Sequence, residues 1–181
     1  MRNFFIPYSI FLMGLLSSCS LFFGNIRSTE EKSSQYTVEE LTQLRPHWKK
    51  ISPSQDSEVT ESTRPDLTFE SIRTSSVISL TSGCKTRSDS RPAKNLSELT
   101  RVLLLGISDL KYKTVCKRQI EKVDALWSSV SGEVNHEPVA MEVVVFQRGD
   151  CSYDLILVGR PPLSPEDQDD FAHFVSTFHF K

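Results

Sequence analysis

The stretch Val139-Ala-Met-Glu-Val-Val-Val-Phe146, then Gln147-Arg-Gly-Asp150, then Cys151-Ser-Tyr-Asp-Leu-Ile-Leu-Val158 decides the fold. Two near-continuous runs of β-branched, aliphatic and aromatic residues flank a short polar segment containing glycine, which is the pattern of a β-hairpin. Strand side chains alternate between the faces of a sheet. Runs that are apolar at nearly every position therefore imply a sheet covered on both faces at its centre. Just upstream, Asn135-His-Glu-Pro138 reads as a turn, and residues 114–120 and 126–134 as two further strands, the second with Leu126, Val130 and Val134 in phase. Downstream, Ser164 stands as a helix cap and Pro165 at the first helical position. Glu166 and Asp167 follow where they favour the dipole, and Phe171, Phe174, Val175 and Phe178 form a buried stripe.

Further towards the N-terminus, Asn95-Leu-Ser-Glu98 fits a capping box with Asn as the cap. It opens a helix whose stripe is Leu96, Leu99, Leu103 and Ile107, ending near Asp109. Before it, Ile72, Thr74, Ser76, Ile78 and Leu80 alternate as one strand that ends at Ser82-Gly-Cys84, and a polar loop runs on through Pro92. Thr37-Val-Glu-Glu40 fits another capping box, for a short helix that ends before Pro46 and is packed onto the core by Trp48. Residues 52–65 are rich in Ser, Thr, Asp, Glu and Pro and read as a linker. The expected division is therefore a leader at 1–18, a tether at 19–35, a short helix and polar linker at 36–66, and the folded domain at 67–181. The element order predicts an α+β domain, an antiparallel sheet with packed helices and, if both faces are covered, an α/β/α sandwich. That order resembles the extrinsic PsbP photosystem protein and its bacterial relatives.

Composition agrees with one domain. The protein has 181 residues, 38% hydrophobic and 24% charged, enough apolar material for a single core. This excludes a collagen-like or mainly disordered polypeptide and a polytopic membrane protein. Lys+Arg is 21 against Asp+Glu 23, a formal charge of -2, which speaks against a dedicated nucleic-acid binder.

The first residues carry the clearest address. Met-Arg-Asn precedes an apolar run over residues 4–16 that is short for a membrane span and has signal-peptide architecture. Leu16-Ser17-Ser18-Cys19 resembles the lipobox of bacterial lipoproteins. The resemblance implies a diacylglycerol on the Cys19 sulfur, cleavage before Cys19, and acylation of the new amine with a fatty acid such as palmitate. Each buried methylene contributes about 0.8 kcal/mol, so two or three acyl groups anchor firmly to a membrane. Ser20 stands where Asp would retain the protein at the inner membrane of enteric bacteria, so the expected destination is the outer membrane, facing the periplasm. The pattern Ser-Gly-Cys84, Leu99-Thr-Arg-Val-Leu-Leu-Leu-Gly106, Asp150-Cys-Ser-Tyr-Asp-Leu155 and Phe171-Ala-His-Phe-Val-Ser-Thr-Phe178 is similar to a group of small, uncharacterised proteobacterial lipoproteins. Those often carry two cysteines at comparable places.

With Cys19 lipidated, Cys84, Cys116 and Cys151 remain, an odd number in an oxidising compartment. Cys84 and Cys151 each sit at the edge of an apolar strand and are the expected bridge, which leaves Cys116 buried and inert, or free. No Cys-x-x-Cys pair exists, and His47, His136, His173 and His179 make no zinc set, so no metal or other cofactor is implied.

Candidate chemistry is sparse. Arg148-Gly149-Asp150 matches the integrin-binding tripeptide, but Gly-Asp is also ordinary turn chemistry. Lys111, Lys113, Lys117, Arg118 and Lys122 form a basic stretch interrupted by Glu121 and Asp124. It reads as a solvated strand face, with anionic headgroups or an acidic partner as the alternative. Asp154 has no partner carboxylate or histidine at a defined spacing. Gly-x-Ser-x-Gly and phosphate-loop signatures are missing. The sequence thus points to a non-catalytic envelope lipoprotein, held to the membrane through Cys19, that binds or braces another envelope protein. A lipid-transport carrier, which needs an apolar cavity between helix and sheet, and a thiol enzyme using Cys116 are the alternatives.

Overall fold

The Val139–Val158 hairpin forms, and its strands lie inside a seven-stranded antiparallel sheet. The computed structural model describes residues 35–52, 65–84 and 95–181. The leader, Cys19, the tether up to residue 34, most of the 52–65 linker and the loop after Cys84 lie outside the described residues. In sequence order the elements are β1 (Tyr36–Thr37), α1 (Leu41–Leu44), β2 (Trp48–Lys50), β3 (Leu67–Ser71), β4 (Val77–Cys84) and α2 (Leu96–Leu103). They continue with β5 (Ser108–Ile120), β6 (Val123–Val134), β7 (Glu137–Arg148), β8 (Cys151–Gly159), α3 (Pro165–Ser176) and β9 (His179–Phe180). The sheet order is β2-β3-β4-β8-β7-β6-β5, and β1 pairs with β9 in a separate two-stranded ribbon.

Register follows from turn chemistry. Arg148 opposes Cys151, so the β7–β8 turn is Gly149-Asp150, with Gly149 at φ +59°. That left-handed conformation is free for glycine and suits a tight hairpin. Asn135 and His136 close β6–β7 with φ +52° and +67°. At Gly132 a Cβ would fall 2.5 Å from Ile107 Cγ2 and 2.6 Å from the Ser108 carbonyl, so only glycine lets the start of β5 cross so closely.

Alternation sorts the apolar runs onto two faces. Val144, Phe146, Tyr153, Leu155 and Leu157 meet Phe171, Phe174, Val175 and Phe178 of and just beyond α3, together with Phe69, Ile78 and Leu80. Val143, Val145, Ile156 and Val158 point the other way, onto Leu96, Leu99, Leu103 and Leu104 of the α2 region. Val143, Val144, Val145 and Phe146 are all 0% exposed, which shows that both faces are covered. The fold is the expected α+β architecture in its α/β/α form.

Several local expectations are corrected. The sheet and core do not begin at Leu67: Tyr36, Leu41 and Trp48 are buried in the main core, and β2 pairs with β3. Residues 36–51 are therefore part of the folded domain, with Trp48 packed on the core as expected and the sheet starting earlier than Leu67. The Thr37 capping box does not form. Thr37 lies in β1, and the cap of α1 is Glu40, without a side-chain bond. Nor is there a single strand starting at Ile72. Instead β3 and β4 form a hairpin, with Ile72 69% exposed at the turn and Ser75 at φ +58°. The Thr74 backbone N–H donates to Ser71 Oγ (3.3 Å) and the Ser75 N–H to the Ser71 carbonyl (2.9 Å), so serine and threonine side chains build a turn in which no glycine or proline announces it. α2 stops at Leu103 instead of near Asp109, because Gly106 turns the backbone at φ +94° and β5 starts at Ser108. Its capping box is complete: Asn95 Oδ1 accepts from the Glu98 N–H (2.8 Å) and Glu98 Oε2 from the Asn95 N–H (3.2 Å). Ser164 stands at the N-cap of α3, but its side chain makes no capping bond.

This packing sets two expectations for stability. Phe174 is 1% exposed with its ring 5.7 Å from Phe69, so Phe174→Ala is expected to cost about 3–5 kcal/mol in urea unfolding. Cys84 and Cys151 are bridged across 67 residues, and Cys84→Ser/Cys151→Ser is expected to cost about 4 kcal/mol in the same assay.

Candidate binding groove

The β5–β6 turn and the C-terminal end of α3 enclose an open groove of about 350 Å³. Its floor is Ile120, Val175 and Phe178, all residues that the alternation and the helical stripe direct inward. Trp127 forms one wall. Its ring lies edge-on to Phe171 at 5.6 Å, and its Nε1 donates to Glu142 Oε2 at 2.6 Å, which fixes the indole. Arg118 lines the same wall with its guanidinium carbon 4.3 Å from the Trp127 ring centre. Cross-strand register explains this: Arg118 opposes Ala125 and Cys116 opposes Trp127, so all four share the α3 face.

The opposite rim is a clamp. Glu121 and Lys122 turn the backbone at φ +49° and +68°, a conformation that costs non-glycine residues free energy. Glu121 spends both oxygens holding it there. Oε1 accepts from His179 Nδ1 at 2.7 Å and Oε2 from the Phe180 N–H at 3.1 Å. The His179 hydrogen bond, followed by that of the Phe180 backbone, holds the Glu121 carboxyl below the usual carboxylate range. The groove thus offers an apolar floor, an aromatic wall and a guanidinium edge. It contains no nucleophile beside a base.

The other sequence candidates are dispersed. Cys84 and Cys151 oppose each other in the β4–β8 register and are joined, with Cα atoms 3.9 Å apart. Cys116 is a partly buried free thiol in β5. Arg148 stacks over Phe180 at 4.4 Å, so the arginine of the Arg148-Gly149-Asp150 turn is engaged with β9. The basic residues 111, 113, 117 and 118 lie along β5, the exposed outer strand. Among the described residues no cluster of His, Cys, Asp and Glu could hold a metal ion, and no helix is long and apolar enough to cross a membrane.

Sequence reasoning misses a polar network at the start of α3. Asp170 Oδ1 accepts from Arg45 Nε (2.6 Å), and Oδ2 from His47 Nε2 (2.8 Å) and Trp48 Nε1 (2.9 Å). Burial works against its charge, but the Trp48, Arg45 and His47 bonds leave the Asp170 carboxyl below its ordinary pKa. Asp167 is 0% exposed and accepts from Thr74 Oγ1 at 2.7 Å. The available signal is an acid in phase with an apolar stripe: Asp167 falls four residues before Phe171 and seven before Phe174.

No protein-family model matches this sequence. No characterised protein matches it by sequence. Among solved structures, cyanobacterial PsbP (CyanoP) from Synechocystis sp. PCC 6803 aligns with a TM-score of 0.55 at 12% identity, over 93% of this protein and 100% of that one. LpqN, involved in cell envelope biogenesis of Mycobacterium tuberculosis, aligns with a TM-score of 0.55 at 9% identity, over 83% of this protein and 85% of that one. At such identities the likeness is one of fold, and it bears out the PsbP-like element order.

Asp154 yields a pH prediction. It sits in β8 between Thr81 of β4 and Val145 of β7, and burial pushes its carboxyl from 3.8 up to about 7. Between those values the folded protein keeps a proton that the unfolded one has released. Stability from this site is therefore full below about pH 4 and is lost as pH rises through about 7. Asp154→Asn is expected to raise stability at pH 8 by on the order of 1–3 kcal/mol and to leave it nearly unchanged at pH 4, read from urea unfolding at both values.

Proposed function

We propose that this protein is a lipid-anchored cell-envelope protein whose domain binds another envelope component without catalysing a reaction. The Cys84–Cys151 bridge carries the reading. Stable disulfides belong to oxidising, extracytoplasmic compartments, and the Leu16-Ser17-Ser18-Cys19 lipobox supplies the matching export route and anchor. The PsbP-like and LpqN-like fold agrees, since LpqN is an envelope-biogenesis protein. Ser20 directs the anchored protein to the outer membrane, periplasmic side, in a two-membrane cell.

The alternatives have less support. A lipid carrier needs room between helix and sheet, and Phe171, Phe174 and Phe178, at 0–1% exposure, fill that space. A thiol enzyme needs a base beside its sulfur. Cys116 has no hydrogen-bonded histidine among the described residues and stands opposite Trp127.

Cell fractionation with radiolabelled palmitate tests the anchor. The full-length protein is expected in the membrane fraction carrying label. Cys19→Ala is expected to lose the label and leave the membrane. Retention of the variant on membranes would overturn the lipoprotein reading.

A further inference from the structure

We propose that the groove between the β5–β6 turn and the end of α3 receives a carboxylate with an apolar side chain beside it, presented by a peptide segment of a protein partner. This rests on the reading of the molecule as a non-catalytic binding protein and names the chemistry of what it binds.

The charge argument starts from Arg118. One guanidinium face lies on the Trp127 ring at 4.3 Å. Arg118 forms no ion pair among the described residues, so its edge donors stay available. A guanidinium stacked on an indole is held in one orientation, and its fork matches a carboxylate through two parallel hydrogen bonds. The acid on the opposite rim does not compete: both Glu121 oxygens are taken by His179 and the Phe180 N–H. Lys122, exposed in the β5–β6 turn, adds positive charge beside Glu121, whereas Lys117 opposes Leu126 and lies on the other face of the sheet. An incoming anion thus meets one stacked guanidinium fork, with one lysine in the adjoining turn.

The shape argument comes from the floor. Ile120, Val175 and Phe178, at most 9% exposed, make a fixed floor that a ligand meets without rearrangement, and the half-buried Trp127 wall offers the apolar surface it would cover. At about 350 Å³ the space is near the small end of ligand sites and is open to solvent. It suits one apolar side chain and its neighbouring carboxylate. A single fork also suits a singly charged carboxylate better than a phosphate, which recruits several cations. The carboxylate has two sources, the carboxyl terminus of the partner or an internal acidic residue next to an apolar one.

Nuclear magnetic resonance on the tryptophan-labelled full-length protein in non-ionic detergent tests this. The sequence has two tryptophans, and the Trp48 indole, bonded to Asp170, is the internal control for Trp127. The probes are N-acetyl-leucine, N-acetyl-leucinamide and N-acetyl-glutamyl-leucinamide. A carboxylate probe is expected to move the Trp127 indole signal saturably and leave Trp48 in place. N-acetyl-leucinamide, which has no carboxylate, is expected to bind at least about tenfold more weakly. Tighter binding of N-acetyl-leucine assigns a partner that presents its carboxyl terminus; tighter binding of the glutamyl probe assigns an internal acidic residue. Arg118→Gln is expected to bring the carboxylate probes down to the amide's affinity with the thermal midpoint unchanged. Arg118→Lys, which keeps the charge and loses the fork, is expected to fall between.

Equal binding of N-acetyl-leucine, the glutamyl probe and N-acetyl-leucinamide, no saturable change at Trp127, or unchanged binding by Arg118→Gln would overturn the proposal. The two readings fail separately. A full-length protein that takes up no palmitate, or a Cys19→Ala variant that stays on membranes, refutes the anchor and leaves the groove result standing, while a silent Trp127 refutes the groove and leaves the anchor standing.

Discussion

The structure depends on burying both faces of β7 and β8. Four consecutive residues, Val143 to Phe146, are sealed from water, two against each helix layer. A sheet that is apolar on both sides requires two covers, so α2 and α3 must lie on opposite faces. The sheet then consists of two locally connected parts, β2-β3-β4 and the β5–β8 meander, and β4–β8 is the pairing that joins them. That joint is non-local, with 67 residues between its bridged cysteines, and it bears the loop-closure cost that the hairpins avoid. The disulfide lies in register at one end of this joint, where it constrains the unfolded state most usefully.

The second constraint is polar. α3 reaches the short edge strand β2 through Asp170, whose carboxylate takes bonds from Arg45, His47 and Trp48. It reaches the β3–β4 turn through Asp167 and Thr74. Buried carboxylates are costly to desolvate, so such a network adds less net stability than its bond lengths suggest. Its contribution is placement. Apolar packing alone allows α3 to slide along the sheet, whereas two acids one helical turn apart, each with fixed donors, select one position. That position sets where the end of α3 meets the β5–β6 turn, and hence where the groove forms.

Legibility in the sequence tracks how local the determining interactions are. The β7–β8 hairpin, the α3 stripe and the Asn95 capping box depend on residues within a few positions of one another, and periodicity reveals them. Ile72 reads as strand because its alternation with Thr74 and Ser76 continues through a turn made by Ser71 and Ser75, with no glycine or proline as a marker. Residues 36–51 read as peripheral to the domain because their elements are two to four residues long. What holds them is distant: Tyr36 donates to Asp66 at 3.1 Å and Trp48 to Asp170 at 2.9 Å. The groove is illegible for the same reason. Arg118 and Trp127 are nine residues apart and read only as a basic stretch and an apolar strand, and their partners lie some fifty residues on at residues 172–179. Nothing short of the folded register places them together.

The distribution of charge along β5 argues for the groove over the sheet edge as the recognition surface. An outer strand of thirteen residues is a ready template for strand addition by another polypeptide. Here it carries Lys111, Lys113 and Lys117, and its register shifts twice, between Ser108 and Lys111 and between Tyr112 and Thr114. Lysines and bulges are the devices by which natural sheets discourage such pairing. The groove is built oppositely. Its indole is fixed by Glu142 and Phe171, its turn by Glu121 bonds to His179 and Phe180, and its floor by the core. Rigid walls leave little conformational entropy to lose on binding, so even a small contact area retains affinity. On the proposed reading, a blocked edge beside a stiff cleft favours recognition of side chains over backbone.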